Sequence, residues 1–390
     1  MNKKLLAFLL ASPASAEIIY ASSYNDHAVT ALNLNGSSLT VLGRNYDCGS
    51  EPTWLTLDKA KGVLYCLNEG WGGAASITSY KTSASGSLST LDVLSVLKSP
   101  VSSTLFGADK SKLAVAYYDT SAFGTFDVSN PSDLKLLKQE TYSLSGPGTV
   151  PERQDAPHLH DAVLDPTGQF LVVPDLGADL LRIYQVTDAV SGASAVGAVK
   201  AVPGSGPRHV AFATAGDKTY LYSTNELSNT ITGYRVDYKC DAIPEFTSLF
   251  TFSTHGPGGS VPAGTKSAEI EVSPDQKFLI VSSRGEGLLK IPSFDPASPA
   301  EIVSDPLVSF AINGTTGALT HVQTAPAGGR NPRGFSLNKA GTLVVSALQD
   351  DNRVVVIERD VKTGLLGKIV AHATVGVGAN NGPNYALFDE

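Results

Sequence analysis

Cysteine is scarce in this chain, with only Cys48, Cys66 and Cys240 among 390 residues. A small scaffold stapled by several disulfides is thereby excluded, and at most one internal bridge can form. Cys48 and Cys66 flank one expected strand pair and are the favoured partners. Charge is equally sparse. Lys and Arg total 29 against 37 Asp and Glu, for a net charge of −8, and charged residues make up 17% of the chain. With 42% hydrophobic residues, so weakly charged a composition excludes intrinsic disorder. No Lys/Arg cluster or stripe is present, which argues against a nucleic-acid partner. No uninterrupted apolar run reaches the roughly 20 residues of a membrane helix, so no membrane span is expected. A coiled coil is excluded by 37 Gly and 22 Pro spread throughout. The chain also lacks a Gly-x-Ser-x-Gly elbow, a phosphate-binding Walker loop and a dinucleotide fingerprint. Ser95-x-x-Lys98 and Lys362-Thr-Gly364 imitate a β-lactamase pair, but the repeat described below places the second in a hairpin turn.

What is present begins with an address. Lys3 and Lys4 precede an apolar run from Leu5 to Ala11, and Ala14-Ser15-Ala16 has the small residues of a cleavage site. Residues 1–16 are expected to be a secretory signal peptide, leaving 17–390 as one extracellular domain. Asn35-Gly36-Ser37 and Asn313-Gly314-Thr315 are glycosylation sequons in a eukaryotic secretory pathway.

A repeat then sets the fold. A short apolar strand, a turn rich in Asp, Pro and Gly, and a second β-rich strand recur at Trp54–Asn68, His160–Asp175, Val210–Asn225, Ile270–Arg284 and Phe335–Ser346, with a weaker copy at Leu105–Tyr118. An alternating apolar strand follows each, as in Leu181–Val186 or Arg353–Glu358. The spacing of roughly 48 to 65 residues suits four-stranded propeller blades. Six copies are complete. Residues 18–24, 28–34 and 39–44 supply three further strands without an innermost one, and Asn384–Phe388 is a lone strand at the other end. Three plus one make a seventh blade closed by the two termini, which removes the edges an open ring would expose. The expected fold is an all-β, seven-bladed propeller.

In such a ring the first strand of a blade starts, and the second ends, at the same mouth of the central channel. First-strand starts carry Trp54, His158, His160, Arg208, His209, Glu269 and Arg333. Second-strand ends carry Asn68, Glu69, Asp175, Asn225, Glu226, Arg284 and Asp350. Packing alone would ask for small apolar residues there, so the crowding of ionisable groups marks the functional mouth.

At these residues the chain resembles a known family. Pro157-His-Leu-His160, Gly206-Pro-Arg-His209, Asn225-Glu226-Leu227, Ser283-Arg284-Gly285 and Asn331-Pro-Arg-Gly-Phe335 look like the lactonase family of seven-bladed propellers. That family includes 6-phosphogluconolactonases and 3-carboxy-cis,cis-muconate lactonizing enzymes. The resemblance runs from about residue 17 to the C-terminus. It implies opening or closing of a lactone ring without metal or cofactor, and puts the catalytic set on His160, Arg208, Glu226 and Arg284. Trp54, Glu69, His158, His209, Asn225, Glu271 and Arg333 are the expected substrate contacts. Glu271 departs from the family pattern, where many relatives carry a histidine.

The chemistry of these groups fits that implication. Arginines are fixed cations with planar donor forks, suited to a carboxylate or a developing oxyanion. Glu226 among them is expected to stay ionised, and His160 to move protons. Other readings stand beside this one. Arg208 and Glu226 could be only a structural ion pair, His158 and His160 a transition-metal half-site, Trp54 a channel plug, and Glu69, Asp175, Asn225 and Asp350 a calcium cage. The leading expectation is a monomeric, secreted hydrolase of sugar-derived aldonolactones, for which a phosphorylated sugar is disfavoured by location. A muconate-type lactonizing cycloisomerase and a non-catalytic secreted binding propeller are the alternatives.

Overall fold

The computed structural model describes residues 17–107, 109–187, 191–239 and 242–390. The expected signal peptide and Cys240 lie outside them. The described residues form seven four-stranded antiparallel sheets and one extra two-stranded ribbon, and no helix among them is long and apolar enough to cross a membrane.

Each sheet is one blade, its strands running in sequence from the channel outward. The first blade holds Pro52–Asp58, Val63–Asn68, Ala75–Thr82 and Leu88–Val96. The second, with Pro100–Phe106 and Lys112–Tyr117 innermost, is a full blade despite its faint repeat. In the third the innermost strand shrinks to Val163–Leu164, and residues 157–162 reach the mouth as irregular chain, held by a bridge from Leu159 to Asp175. The seventh blade is the composite one: Glu17–Ser23 pairs outward with Ala28–Asn35 and inward with the C-terminal strand Pro383–Phe388.

The blades cohere because their inner three strands are apolar on both faces, while outermost strands such as Leu88–Val96 alternate between partly buried and exposed positions. Neighbouring blades share their cores. Ile19, Leu32, Ala386 and Phe388 of the seventh pack with Val345, Val354 and Val356 of the sixth. Turns between first and second strands are fixed locally; Asp165 accepts hydrogen bonds from the backbone N–H groups of Thr167, Gln169 and Phe170, while Gly168 supplies the positive φ that a side chain would resist. A Cys48–Cys66 disulfide links the segment before the first blade to its second strand.

Five innermost strands begin with proline, and immediately after it the register slips: between Pro52 and Trp54, Pro100 and Ser102, Pro207 and His209, Pro332 and Gly334, and between Ser23/Pro383 and Ser22/Tyr385. Proline cannot donate to the ladder and is tolerated at a strand start, and a bulge there re-aims the extra residue. The re-aimed residues are Thr53, Val101, Arg208, Arg333 and Asn384, and all five line the channel. A comparable slip between Ser267 and Ile270 brings Glu269 to the same level.

An insertion interrupts the fifth blade. Residues 285–305 leave the end of Phe278–Arg284, form the ribbon Leu289–Pro292 with Glu301–Ser304, and return to the blade at Pro306. The repeat gave no sign of it, because it replaces a short turn without disturbing the strands on either side.

Candidate active site

The mouth opens into a cavity of about 270 Å³ lined by Glu69, Trp71, Val101, Tyr118, Asp119, Arg153, His160, Glu226, Lys266, Arg284 and Arg333. Beneath it the channel narrows to a ring with at least one residue from every blade: Thr53, Val101, His160, Arg208, Glu269, Arg333 and Asn384, with Trp54 and His209 beside them. Val101, His160 and Arg333 belong to both levels. A further level holds Trp54, Asp161, Glu269, Glu271 and Tyr385. A groove of about 340 Å³ elsewhere, lined by residues such as Val29, Leu42 and Leu88, has Arg44 as its one ionisable group, already paired with Asp26. It offers no comparable chemistry.

Glu226 organises the upper cavity. Its Oε1 lies 2.7 Å from Arg153 Nη2, and its Oε2 lies 2.9 Å from Arg284 Nη2 and 3.0 Å from Arg208 Nε. The first two are hydrogen bonds. Arg208 Nε is close but misaligned, and with Nη1 it has no hydrogen-bond acceptor among the described residues, so this third contact is Coulombic. Burial alone would raise the carboxyl's pKa; Arg284, Arg208 and Arg153 overcome it and hold Glu226 far below the usual carboxylate range. Glu226 is therefore a fixed anion. Arg208, fully buried beside Arg284, is pushed down to about 9 by desolvation and by that neighbouring cation.

His160 is the neutral counterpart. Burial, then the charges of Arg208 and Arg333, push its pKa well below 6.5. Its Nδ1 faces His209 Nε2 at 3.3 Å, and the Tyr118 ring stands edge-on at 5.4 Å. Arg333 differs from the other arginines. It makes no ion pair among the described residues, and the Tyr24 ring lies 5.7 Å from its guanidinium carbon.

The four residues expected to be catalytic are thus brought to one place, and Glu69, Arg333 and His209 join them. Glu69 accepts hydrogen bonds from Tyr24 and from Trp71 Nε1, and burial raises its carboxyl against the opposing pull of Arg333. Trp54 sits lower, stacked on Tyr385 at 4.1 Å and bonded through Nε1 to the Ser103 carbonyl, which is the plug geometry. Glu271 lies at that lower level, where its Oε2 accepts the Leu337 N–H. Two expected contacts line none of these three levels. His158 stacks behind Tyr118 at 4.2 Å, its nitrogens near the Tyr118 carbonyl and Asp155, and Asn225 donates to Thr230 and Thr232.

The calcium alternative is not assembled either. Asp175 is taken by Arg182 and two backbone amides, and among the described residues no group of three or more His, Cys, Asp or Glu side chains is disposed to hold a metal ion.

Several lining residues escaped the sequence reading. Tyr118 and Asp119 end a second strand and obey the rule applied elsewhere, but sit in the faint repeat. Tyr24, which donates to the lining residue Glu69, obeys it in the composite blade. Arg153 comes from the long connection between the second and third blades, where no strand pattern points to it. Trp71 follows Glu69 by two residues, on the turn leaving the first blade's second strand.

Comparisons with known proteins agree with this architecture. Residues 18–380 match the family described as Lactonase, 7-bladed beta-propeller. A "Probable 6-phosphogluconolactonase" of Arthroderma benhamiae is 32% identical over 92% of this chain and 87% of its own. The 6-phosphogluconolactonase of Bacillus subtilis is 27% identical over 81% of this chain and 82% of its own. Among solved structures, a periplasmic gluconolactonase of Pseudomonas aeruginosa superposes with a TM-score of 0.78 at 26% identity, covering 96% of this chain and 99% of that one. The chain belongs to the lactonase family of seven-bladed β-propellers.

Proposed function

We propose that the protein is a lactonase that hydrolyses a sugar-derived lactone carrying or generating negative charge, with His160 as the base. The observation that carries this reading is the pairing of a neutral imidazole with guanidinium groups that keep N–H donors unspent, at the floor of one open cavity. Among the described residues Arg333 makes no ion pair, and Arg208, though paired with Glu226, keeps N–H groups without acceptors. Lys266 adds a further cation at the rim.

The chemistry follows from these roles. His160 Nε2, which has no protein partner, takes a proton from water as the water oxygen bonds to the lactone carbonyl carbon. The carbonyl becomes an oxyanion, which Arg208 and Arg333 stabilise. When the ring C–O bond breaks, the imidazolium returns its proton to the departing ring oxygen. The product is a hydroxy acid that ionises and releases one proton. Glu226 does not exchange protons in this scheme; it fixes Arg153, Arg208 and Arg284 in place.

The names of the relatives support sugar lactones as the substrate class. The surplus of cations suits an anionic sugar, phosphorylated or carboxylated, as well as the carboxylate product; this reopens the phosphorylated class that location had disfavoured. An extracellular site of action belongs to the same proposal. The Cys48–Cys66 bridge suits an oxidising compartment. Asn35 and Asn313 are exposed in hairpin turns on the face opposite the mouth, where glycans would leave the cavity clear. Removal of residues 1–16 would leave the strand Glu17–Ser23 intact.

The test is a panel of neutral, carboxylated and phosphorylated sugar lactones, scored by proton release with the purified chain. Turnover is expected, with lower KM for the anionic members. No turnover of any sugar lactone would refute the reading.

A further inference from the structure

The ring beneath the cavity contains a chain of three side chains, of which only His160 belongs to the expected four-residue set. Glu269 Oε1 lies 2.8 Å from His209 Nδ1. His209 Nε2 lies 3.3 Å from His160 Nδ1. All three residues are at most 6% exposed, and they come from three successive blades. Each is placed by an irregularity of its innermost strand: His209 just after the bulge that turns Arg208 inward, Glu269 within the Ser267–Ile270 slip, and His160 on the irregular entry to the third blade.

The order of the contacts fixes the protons. A carboxylate only accepts, so His209 must donate from Nδ1 to Glu269. A neutral His209 then has only its Nε2 lone pair left, and His160 must donate to it from Nδ1. His160 Nε2 is left with its lone pair toward the cavity. The opposite tautomer would present an N–H there, which cannot take a proton from water. Arg208 and Arg333 favour the uncharged arrangement, since an imidazolium beside them is repelled. Glu269 is anchored in turn by the Ile270 N–H on the same Oε1 and by its own N–H bonded to Ser282 Oγ. Trp54 closes the other side, its ring edge-on to His209 at 5.5 Å.

We propose that Glu269 and His209 are positioning residues that hold His160 in the Nδ1-protonated tautomer, so that its Nε2 serves as the base. The proposal rests on His160 being that base, and goes beyond it by assigning the origin of its tautomer. Neither residue touches the reacting atoms. The charged and titratable groups facing the pair from the packed elements are Arg208, Arg333, Tyr118, Asp161, Glu271 and Tyr385, and none of them bonds His160 Nδ1.

Three measurements test it. In the unaltered protein, imidazole nitrogen NMR is expected to show His160 protonated at Nδ1; protonation at Nε2 would overturn the proposal, whatever any variant does. His209→Phe keeps a ring but removes both nitrogens, and is expected to lower kcat roughly 10²-fold or more with little change in KM, as loss of a correctly set general base requires. Glu269→Gln keeps the shape and removes the charge, and is expected to move the acid limb of the pH–rate profile to lower pH. Wild-type kcat and pH profile in both variants would also overturn it. His160→Ala separates the two claims: if it is inactive while those variants are unaffected, only the relay fails; if it is fully active, the assignment of the base fails.

Discussion

Glu226 Oε1 accepts a 2.7 Å hydrogen bond from Arg153, a residue 73 positions earlier that belongs to no blade. The long connection between the second and third blades is thereby tied to the anion at the centre of the cavity. Removing the carboxylate leaves three arginine side chains facing one another with no anion between them. Glu226→Gln should destabilise the fold by about 3–5 kcal/mol, the usual result of breaking a buried ion pair on one side, and should lower activity further. Chemical denaturation and kcat/KM on the same preparation would show both; unchanged stability would mean that the arginines do not depend on Glu226.

The depressed pKa of His160 sets the direction of its pH dependence. Protonation abolishes the base, and burial with Arg208 and Arg333 moves that event well below 6.5. Activity should therefore stay level as pH falls through 6.5 and decline only at lower values. The stability contribution has the same sign: the unfolded chain takes up a proton near 6.5 that the folded chain refuses, so stability is lost as pH falls below that point. A kcat/KM profile already halved at 6.5 would contradict a neutral, buried His160.

Closure of the ring depends on the last strand. Phe388 is 5% exposed, packed with Ile19 and the sixth blade. Phe388→Ala should cost about 3–5 kcal/mol, and deletion of residues 383–390 should cost more, since Asn384 and Tyr385 leave the channel with it. Thermal melting would report both, and an unchanged Tm after the deletion would refute closure through the termini.

The Cys48–Cys66 bridge closes a loop with a sequence separation of 18, for which the chain-entropy estimate is about 3 kcal/mol. Cys48→Ala with Cys66→Ala should lower the denaturation midpoint accordingly and leave kcat intact, because neither cysteine lines the cavity. Equal midpoints would show that the bridge does not form.

The repeat carried the fold because blade strands announce themselves through alternation and through turns such as Asp165–Gly168. The composite blade was legible for the same reason: three strands and one remained after the complete copies were counted. The convergence of His160, Arg208, Glu226 and Arg284 on one mouth was legible because they lie at strand ends, where geometry is dictated by the ring. What could not be read sits off the strands or depends on register. Arg153 lies in irregular chain, the ribbon at residues 285–305 replaces a turn, and His158 was placed on a regular strand that the structure replaces with a single bridge. The prolines preceding Thr53, Val101, Arg208, Arg333 and Asn384 were a usable signal that went unread, because a bulge shifts side-chain direction by one residue without altering the apolar pattern around it.

The central claim is that the mouth is a lactone-hydrolysing site in which His160 is the base and Arg333 meets negative charge. Steady-state hydrolysis of gluconolactone and its phosphorylated form, by the unaltered chain and by His160→Ala and Arg333→Ala, tests it most directly. The account predicts a roughly 10²–10⁴-fold loss of kcat without the imidazole, and a loss without Arg333 that is larger for the phosphorylated substrate. Full activity in both variants, with the fold intact, would contradict it.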